Sequence, residues 1–287
     1  MKSYLSLIKF AHSVFALPFA VLAYFLGVKM MDTVPDWRLF FLVILCMLFA
    51  RSAAMAFNRL VDRGYDAKNA RTLLREIPAG TIKPSSAILF VTIMSVAFII
   101  TTFFINPLVF YLSPIVLIII LGYSYTKHFT WLCHFILGIG LGLAPLGAYA
   151  AVTGEFHILP ILYAFMVMLW VSGFDIVYAL QDEEFDRANG LHSIPGRFGK
   201  RTARTIAIFL HFLCACLLFY IAWYQQQLLP SLGFLHWIGA AGFAGLLIWQ
   251  HRLVRVHDLS KINQAFFETN GIASILFGSA VIIDVLI

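Results

Sequence analysis

The chain has 287 residues, of which 61% are hydrophobic and only 12% charged. Soluble domains are about 45–50% apolar and about 25% charged, so an ordinary water-soluble enzyme is excluded and a polytopic protein of the lipid bilayer is predicted. The net charge of +6 is not a nucleic-acid signature, because the basic residues are spread through short loops between apolar runs.

A membrane span needs about 20 mostly apolar residues. Taken in order, candidate spans run over 10–28, 39–58, 86–105, 108–125, 131–152, 158–181, 203–223, 232–250 and 268–287. Lys2 and Lys9 precede the first, and its apolar run continues to Val28, so it reads as an uncleaved helix rather than a signal peptide. No stretch is left over for a soluble domain, and residues 1–287 read as one domain. Cys46, Cys133, Cys214 and Cys216 lie in apolar segments without a C-x-x-C spacing, which predicts small buried hydrophobes.

The Lys/Arg distribution orients the spans. With the N-terminus in the cytoplasm, the inner side holds Lys2, Lys9, Arg59 to Lys83, Lys127, Arg187 to Arg204, Arg252, Arg255 and Lys261. The outer loops keep only Lys29 and Arg38, Arg51 lies within a span, and the C-terminus falls outside. The expected location is the cell (inner) membrane.

Span two ends in Asn58-x3-Asp62-x3-Asp66. Positions i, i+4 and i+8 share one helical face, so an amide and two carboxylates are predicted to stack over about two turns. Span six ends in Asp175-x6-Asp182-x3-Asp186, whose spacing also predicts one helical face. Asp175 sits inside a span, where charged groups are rarely idle. Both acidic stretches fall on the cytoplasmic side, each followed by a long basic loop, about 67–85 and 187–202, so the chain carries a weak internal repeat.

Carboxylate and amide oxygens suit hard cations, and Mg²⁺ is usually held by one or two carboxylates plus substrate phosphates. Asp62, Asp66, Asp175, Asp182 and Asp186 would repel one another without such ions. Guanidinium forks bind phosphate oxygens, which makes Arg71, Arg75 and Arg197 candidates for a diphosphate. Arg51, seven residues before Asn58, lies on the same helical face and is expected to reach into the cavity. The pattern fits a substrate with a diphosphate at the membrane surface and an apolar tail among the helices. Allylic diphosphate ionisation needs that geometry, with metal charge on the leaving group and an apolar, aromatic-lined cavity around the carbocation. Most of the 28 Phe, 11 Tyr and 6 Trp are expected to be ordinary packing or lipid-facing residues.

Across nearly its whole length the chain resembles the UbiA superfamily of intramembrane prenyltransferases, in the 4-hydroxybenzoate polyprenyltransferase-like branch. Asn58-x3-Asp62-x3-Asp66 is similar to the family's first Asp-rich motif, and Asp175-x6-Asp182-x3-Asp186 to the second. Arg71-Thr72-x2-Arg75-x2-Pro78-x-Gly80 is similar to the loop after the first motif, and Tyr123-x3-Lys127 to its Y-x-x-x-K element. The resemblance implies an all-α fold of nine transmembrane helices around a central cavity capped by cytoplasmic loops. It implies two Mg²⁺ held by Asn58, Asp62, Asp66, Asp182 and Asp186, and transfer of a polyprenyl chain from its diphosphate to an aromatic acid in quinone biosynthesis. Tyr123 and Lys127 would contact the diphosphate, and Asp175 would orient or deprotonate the acceptor, with Asp62 and Asp182 essential to turnover. The opening from Lys9 to Phe19 lacks the Arg-Pro pair typical of 4-hydroxybenzoate enzymes, which leaves 1,4-dihydroxy-6-naphthoate as an alternative acceptor.

Other polar residues read more plainly. Glu183 and Glu184 are expected to be solvated. His12 is either an acceptor contact or a packing residue, and the other histidines lack metal-ligand spacing. Tyr65 and Tyr178 read as packing residues near the site. A divalent-cation transporter is the alternative of another class, and it would place acids near the bilayer midplane with exits to both sides.

Overall fold

The computed structural model describes residues 2–8 and 15–287; the expectation for His12 lies outside them. The described residues form helices and no strands: α1 (Lys2–Leu7), α2 (Leu17–Met30), α3 (Trp37–Asp66), α4 (Pro84–Phe103), α5 (Pro107–Thr126), α6 (Cys133–Thr153), α7 (Ile158–Ala179), α8 (Glu183–Ala188), α9 (Ile194–Leu228), α10 (Leu235–Leu253) and α11 (Asn270–Leu286). Among the described residues, seven segments are long and apolar enough to cross a membrane: α3, α4, α5, α6, α7 with its continuation to Ala188, α9, and α11 with the π-helical turn Gln264–Thr269 before it. The expected spans 10–28 and 232–250 correspond to α2 and α10. The described part of α2 has 14 residues, and α10 is diluted by His236, Gln250, His251 and Arg252.

Local chemistry sets the helix starts. Asp36 accepts from Arg38 N at 2.8 Å and caps α3, while Asn106 accepts from Val109 N at 3.0 Å and caps α5 just before Pro107. Ser193 caps α9 by accepting from Gly196 N at 3.1 Å, with Pro195 in the first turn. That cap starts a helix inside the segment expected to be a loop over 187–202. Gly199, at φ +80°, then interrupts α9 in a conformation other residues rarely adopt.

The helices α2, α6, α7 and α9 pack successively in that order, α11 lies against both α10 and α2, and α3 packs on α4 and α5. Helices in lipid gain little from apolar contact alone and pack closely at small residues. Here Gly138 and Gly142 bring α6 onto α7, where an added Cβ would lie 2.6 Å from Met168 O and 2.6 Å from Ala164 O respectively. The main core holds Phe19, Trp170, Phe243 and Phe277 between α2, α7, α10 and α11. At about 1.5 Å per residue, the 30 residues of α3 extend about 45 Å. The hydrocarbon core is about 30 Å thick, so one end of α3 reaches beyond it.

The expected single face over Asp175, Asp182 and Asp186 is corrected. The α-helix stops at Ala179, Leu180–Asp182 forms a 3-10 turn, and α8 follows. The tighter turn changes the rotation per residue, so helical spacing does not carry through to Asp186. The cysteines are corrected too: Cys214 is buried, Cys46 and Cys133 are half-buried, and Cys216 is exposed.

Candidate active site

A polar cleft of about 230 Å³ is lined by Asn58, Asp62 and Asp66 from α3, by Asp175, Asp182 and Asp186 from α7 to α8, and by Arg71, Arg75, Tyr123 and Lys127. Despite the break at Ala179, both acidic stretches meet in one cleft. Each carboxylate is held by a specific partner. Asp62 Oδ2 accepts from Lys127 Nζ at 2.6 Å and from Asn58 Nδ2 at 3.2 Å. Asp66 Oδ1 pairs with Arg75 NH1 at 2.6 Å, and Asp66 O accepts from Thr72 Oγ1 at 3.1 Å. Arg71 holds both oxygens of Asp182, and Ser193 Oγ donates to Asp186 Oδ2 at 2.6 Å. Asp175 Oδ2 lies 2.7 Å from His134 Nδ1.

The loop after α3 makes this possible. It turns back on itself through hydrogen bonds from Thr72 N and Leu73 N to Asn69 O, which aims Asn69, Arg71 and Arg75 at the acids. Asn69 donates to Asp182 Oδ1 at 3.3 Å and caps Arg71 N at 2.9 Å. Beside the cleft, His128 packs on Tyr65 with ring centroids 5.3 Å apart. Burial, the larger influence, holds its imidazole below the ordinary value, against a smaller upward pull from Asp62.

The donor set fits a hard divalent cation. Five carboxylates face three fixed cations, Arg71, Arg75 and Lys127, which leaves an excess of negative charge. Asp62 Oδ1 and Asp66 Oδ2 are buried and have no hydrogen-bond partner among the described residues. An unsatisfied buried acceptor costs about 1–3 kcal/mol, and more when charged. Among the described residues no three His, Cys, Asp or Glu side chains converge as a ready metal cluster. An ion here would draw its remaining ligands from water or phosphate, as Mg²⁺ usually does.

A second, apolar cavity of about 340 Å³ lies between α3, α4, α5 and α6 and shares Tyr123 and Leu137 with the polar cleft. Its walls are mainly aliphatic; Phe98, Tyr123 and Phe156 are its aromatic members. The expected aromatic lining is therefore met only in part, because much of the aromatic cluster packs in the opposite half of the bundle. Among the described residues Arg51 alone is charged in the lining of this cavity, and its Nε is buried without a partner there.

Most of the sequence candidates are thus brought together. Arg51 stands apart from the acids, on the apolar side of Tyr123. Arg197 is not brought in: in the first turn of α9 it is exposed and stacks on Phe198, 5.5 Å from the ring centroid. Tyr178 does more than pack, because Arg71 lies over its ring at 5.5 Å. Glu183 is not simply solvated either, since it pairs with Arg187 at 2.6 Å. Sequence reasoning missed Asn69, His134 and Ser193. The N-cap position of Ser193 before Pro195 is the one local signal among them.

An all-helical bundle with membrane-spanning helices and an acidic and basic cleft adjoining an apolar cavity is the arrangement of an intramembrane enzyme. The chain belongs to the UbiA prenyltransferase family, whose model matches residues 14–272. It is similar to 4-hydroxybenzoate octaprenyltransferase from Aliivibrio fischeri strain MJ11, 29% identical over 246 residues, 86% of this chain and 84% of that one. The same enzyme from Thiobacillus denitrificans is 28% identical over 248 residues, 86% of this chain and 83% of that one. Among solved structures, a UbiA homologue from Aeropyrum pernix K1 superposes with a TM-score of 0.83 at 28% identity, covering 95% of this chain and 98% of that one. A UbiA homologue from Archaeoglobus fulgidus bound to DMAPP and Mg²⁺ shares the fold, with a TM-score of 0.73 at 20% identity over 99% of each chain. The chain is a multi-pass membrane prenyltransferase, the class expected from its motifs, and the transporter alternative falls away.

Proposed function

We propose that this chain transfers a polyprenyl group from polyprenyl diphosphate to an aromatic acid of the 4-hydroxybenzoate type, in quinone biosynthesis. The observation that carries the reading is the junction at Tyr123 and Leu137: the polar cleft suits a diphosphate, and the adjoining apolar cavity suits its isoprenoid tail. The named relatives support an aromatic acid as acceptor. 1,4-Dihydroxy-6-naphthoate is the alternative. We further propose one domain over 1–287 that crosses the inner membrane nine times, with α2 and α10 completing the set. The N-terminus and the cleft face the cytoplasm, and the C-terminus faces outside.

Mg²⁺, in two ions, would be held by Asn58, Asp62 and Asp66 on one side and Asp182 and Asp186 on the other. When bound, it supplies positive charge to the departing diphosphate. Arg71, Arg75 and Lys127 now rest on carboxylates; on donor binding they turn to phosphate oxygens, with Tyr123 below them. The apolar cavity sequesters the chain from water and holds C1 at the junction. The C1–O bond breaks, the diphosphate leaves with the bonding pair, and a ring carbon ortho to the acceptor's hydroxyl bonds to C1. The ring then loses its proton to the released diphosphate, which restores aromaticity. Asp175, partly exposed at the cleft wall, accepts a hydrogen bond from the acceptor's hydroxyl and makes the ring a better nucleophile. Arg51, a cation in apolar surroundings whose Nε has no hydrogen-bond partner among the described residues, pairs with the acceptor's carboxylate.

Purified protein in liposomes, given octaprenyl diphosphate and a panel of 4-hydroxybenzoate, 1,4-dihydroxy-6-naphthoate and 1,4-dihydroxy-2-naphthoate, tests this by product mass. Prenylated 4-hydroxybenzoate is the expected product. Exclusive prenylation of a naphthoate would replace the acceptor, and no adduct with any of them would overturn the reading.

A further inference from the structure

In the cleft wall beside Asp175, His134 is buried at 3% exposure, and both of its ring nitrogens are engaged. Nδ1 lies 2.7 Å from Asp175 Oδ2. Nε2 lies 3.3 Å from the backbone N of Ile194 and accepts its hydrogen. A backbone N–H only donates, so Nε2 must present its lone pair, and the ring proton resides on Nδ1. His134 therefore donates to the Asp175 carboxylate in one defined tautomer. Ile194 opens α9, where the free N–H groups and the helix dipole favour a lone pair over a second ring proton.

The tautomer-setting amide is itself tied to the second acidic stretch. Ser193, immediately before Ile194, caps α9 and donates to Asp186 Oδ2 at 2.6 Å. His134 is held from its own side as well: its carbonyl accepts from Ser172 Oγ at 3.2 Å, on the helix that carries Asp175. Asp175 makes no other hydrogen bond among the described residues, so His134 is its sole polar anchor there. A lone carboxylate at a cavity wall has several rotamers open to it, and a single charge-assisted donor selects one.

We propose that His134 is a positioning residue for prenyl transfer. It fixes Asp175 in one rotamer, with its second oxygen left for the aromatic acceptor's hydroxyl. The inference rests on the role given above to Asp175. His134 touches neither substrate, and its effect passes through Asp175 alone.

The variants His134→Phe, His134→Asn and His134→Gln, with Asp175→Asn and the double variant His134→Phe/Asp175→Asn, test this in liposomes with varied octaprenyl diphosphate and 4-hydroxybenzoate. The Asn amide places a donor near Nδ1, whereas the longer Gln amide places it near Nε2. The expected result is a kcat for His134→Phe reduced about as far as in Asp175→Asn, on the order of tenfold or more, as for loss of one positioned catalytic contact. The donor KM stays within about twofold, the double variant is no slower than Asp175→Asn, and Asn restores more kcat than Gln. Multiplicative losses in the double variant would overturn the inference while leaving the role of Asp175 intact. So would full kcat in His134→Phe beside a crippled Asp175→Asn. Full kcat in Asp175→Asn would overturn that role and this inference together. If His134→Phe fails to fold, the order of Asn and Gln decides: Gln equal to or better than Asn overturns it.

Discussion

Arg71 grips Asp182 with two nitrogens, Nε at 3.1 Å from Oδ1 and NH2 at 2.6 Å from Oδ2, across 111 residues of sequence. The fork closes the loop after the first acidic stretch onto the second, over the ring of Tyr178. A guanidinium fits a carboxylate and a phosphate by the same bidentate geometry, so one residue serves both as latch and as donor ligand.

Arg71→Lys should therefore raise the donor KM about tenfold, a loss of about 1.4 kcal/mol, because the charge remains and the fork is lost. Its effect on folding should be small. Arg71 is about a third exposed, and exposed pairs contribute about 0–1 kcal/mol. Steady-state kinetics with varied polyprenyl diphosphate, beside thermal denaturation in detergent, separate the two effects.

Stripping divalent metal with EDTA should abolish turnover, and Mg²⁺ should restore it. Ca²⁺ should restore much less, because it takes longer bonds and more ligands than the compact octahedral Mg²⁺ site. Activity across a metal titration of the dialysed protein checks this. Activity that survives exhaustive chelation would contradict the assignment of Asp62 and Asp66 to a cation.

On the proposed reading, the depth of the apolar cavity sets donor length. Gly147 lines it, and a Cβ added there would meet nothing within 4 Å, so a larger side chain grows into open space. Gly147→Leu should keep transfer from a five- or ten-carbon diphosphate and lose transfer from long chains. Competition between short and long donors, read by product mass, reports the shift.

Gly138 carries a stability expectation. An added side chain there would press on Met168 O and Ser172 Oγ, where α6 meets α7. Gly138→Val should destabilise by about 1–3 kcal/mol, typical of overpacking. The thermal midpoint of the purified variant against wild type measures it, and an unchanged midpoint would show that the two helices separate without cost.

The amino-acid pattern exposes one half of the site better than the other. Asn58, Asp62 and Asp66 are legible because the chain stays α-helical through Asp66 and i, i+4 spacing holds. The second stretch is legible as a cluster but not as a face, because the 3-10 turn at Leu180–Asp182 resets the rotation. Arg197 misleads, since its loop position looks like that of Arg71 while the cap at Ser193 folds it into an exposed helical turn. His134 and Asn69 are invisible along the chain. Their partners Asp175 and Asp182 lie 41 and 113 residues away, and only helix packing unites them. The seven spans that meet length and hydropathy are plain in the sequence, whereas α2 and α10 depend on what they pack against.

The central claim is that both acidic stretches act as one diphosphate-handling site. The most direct measurement compares polyprenyl transfer to 4-hydroxybenzoate by wild type and Asp62→Ala, reconstituted at equal folded amounts with Mg²⁺. The account predicts product from wild type and a loss on the order of 10²–10³ in kcat for Asp62→Ala, the scale of removing one charge-stabilising group. Near-normal transfer by Asp62→Ala would contradict it.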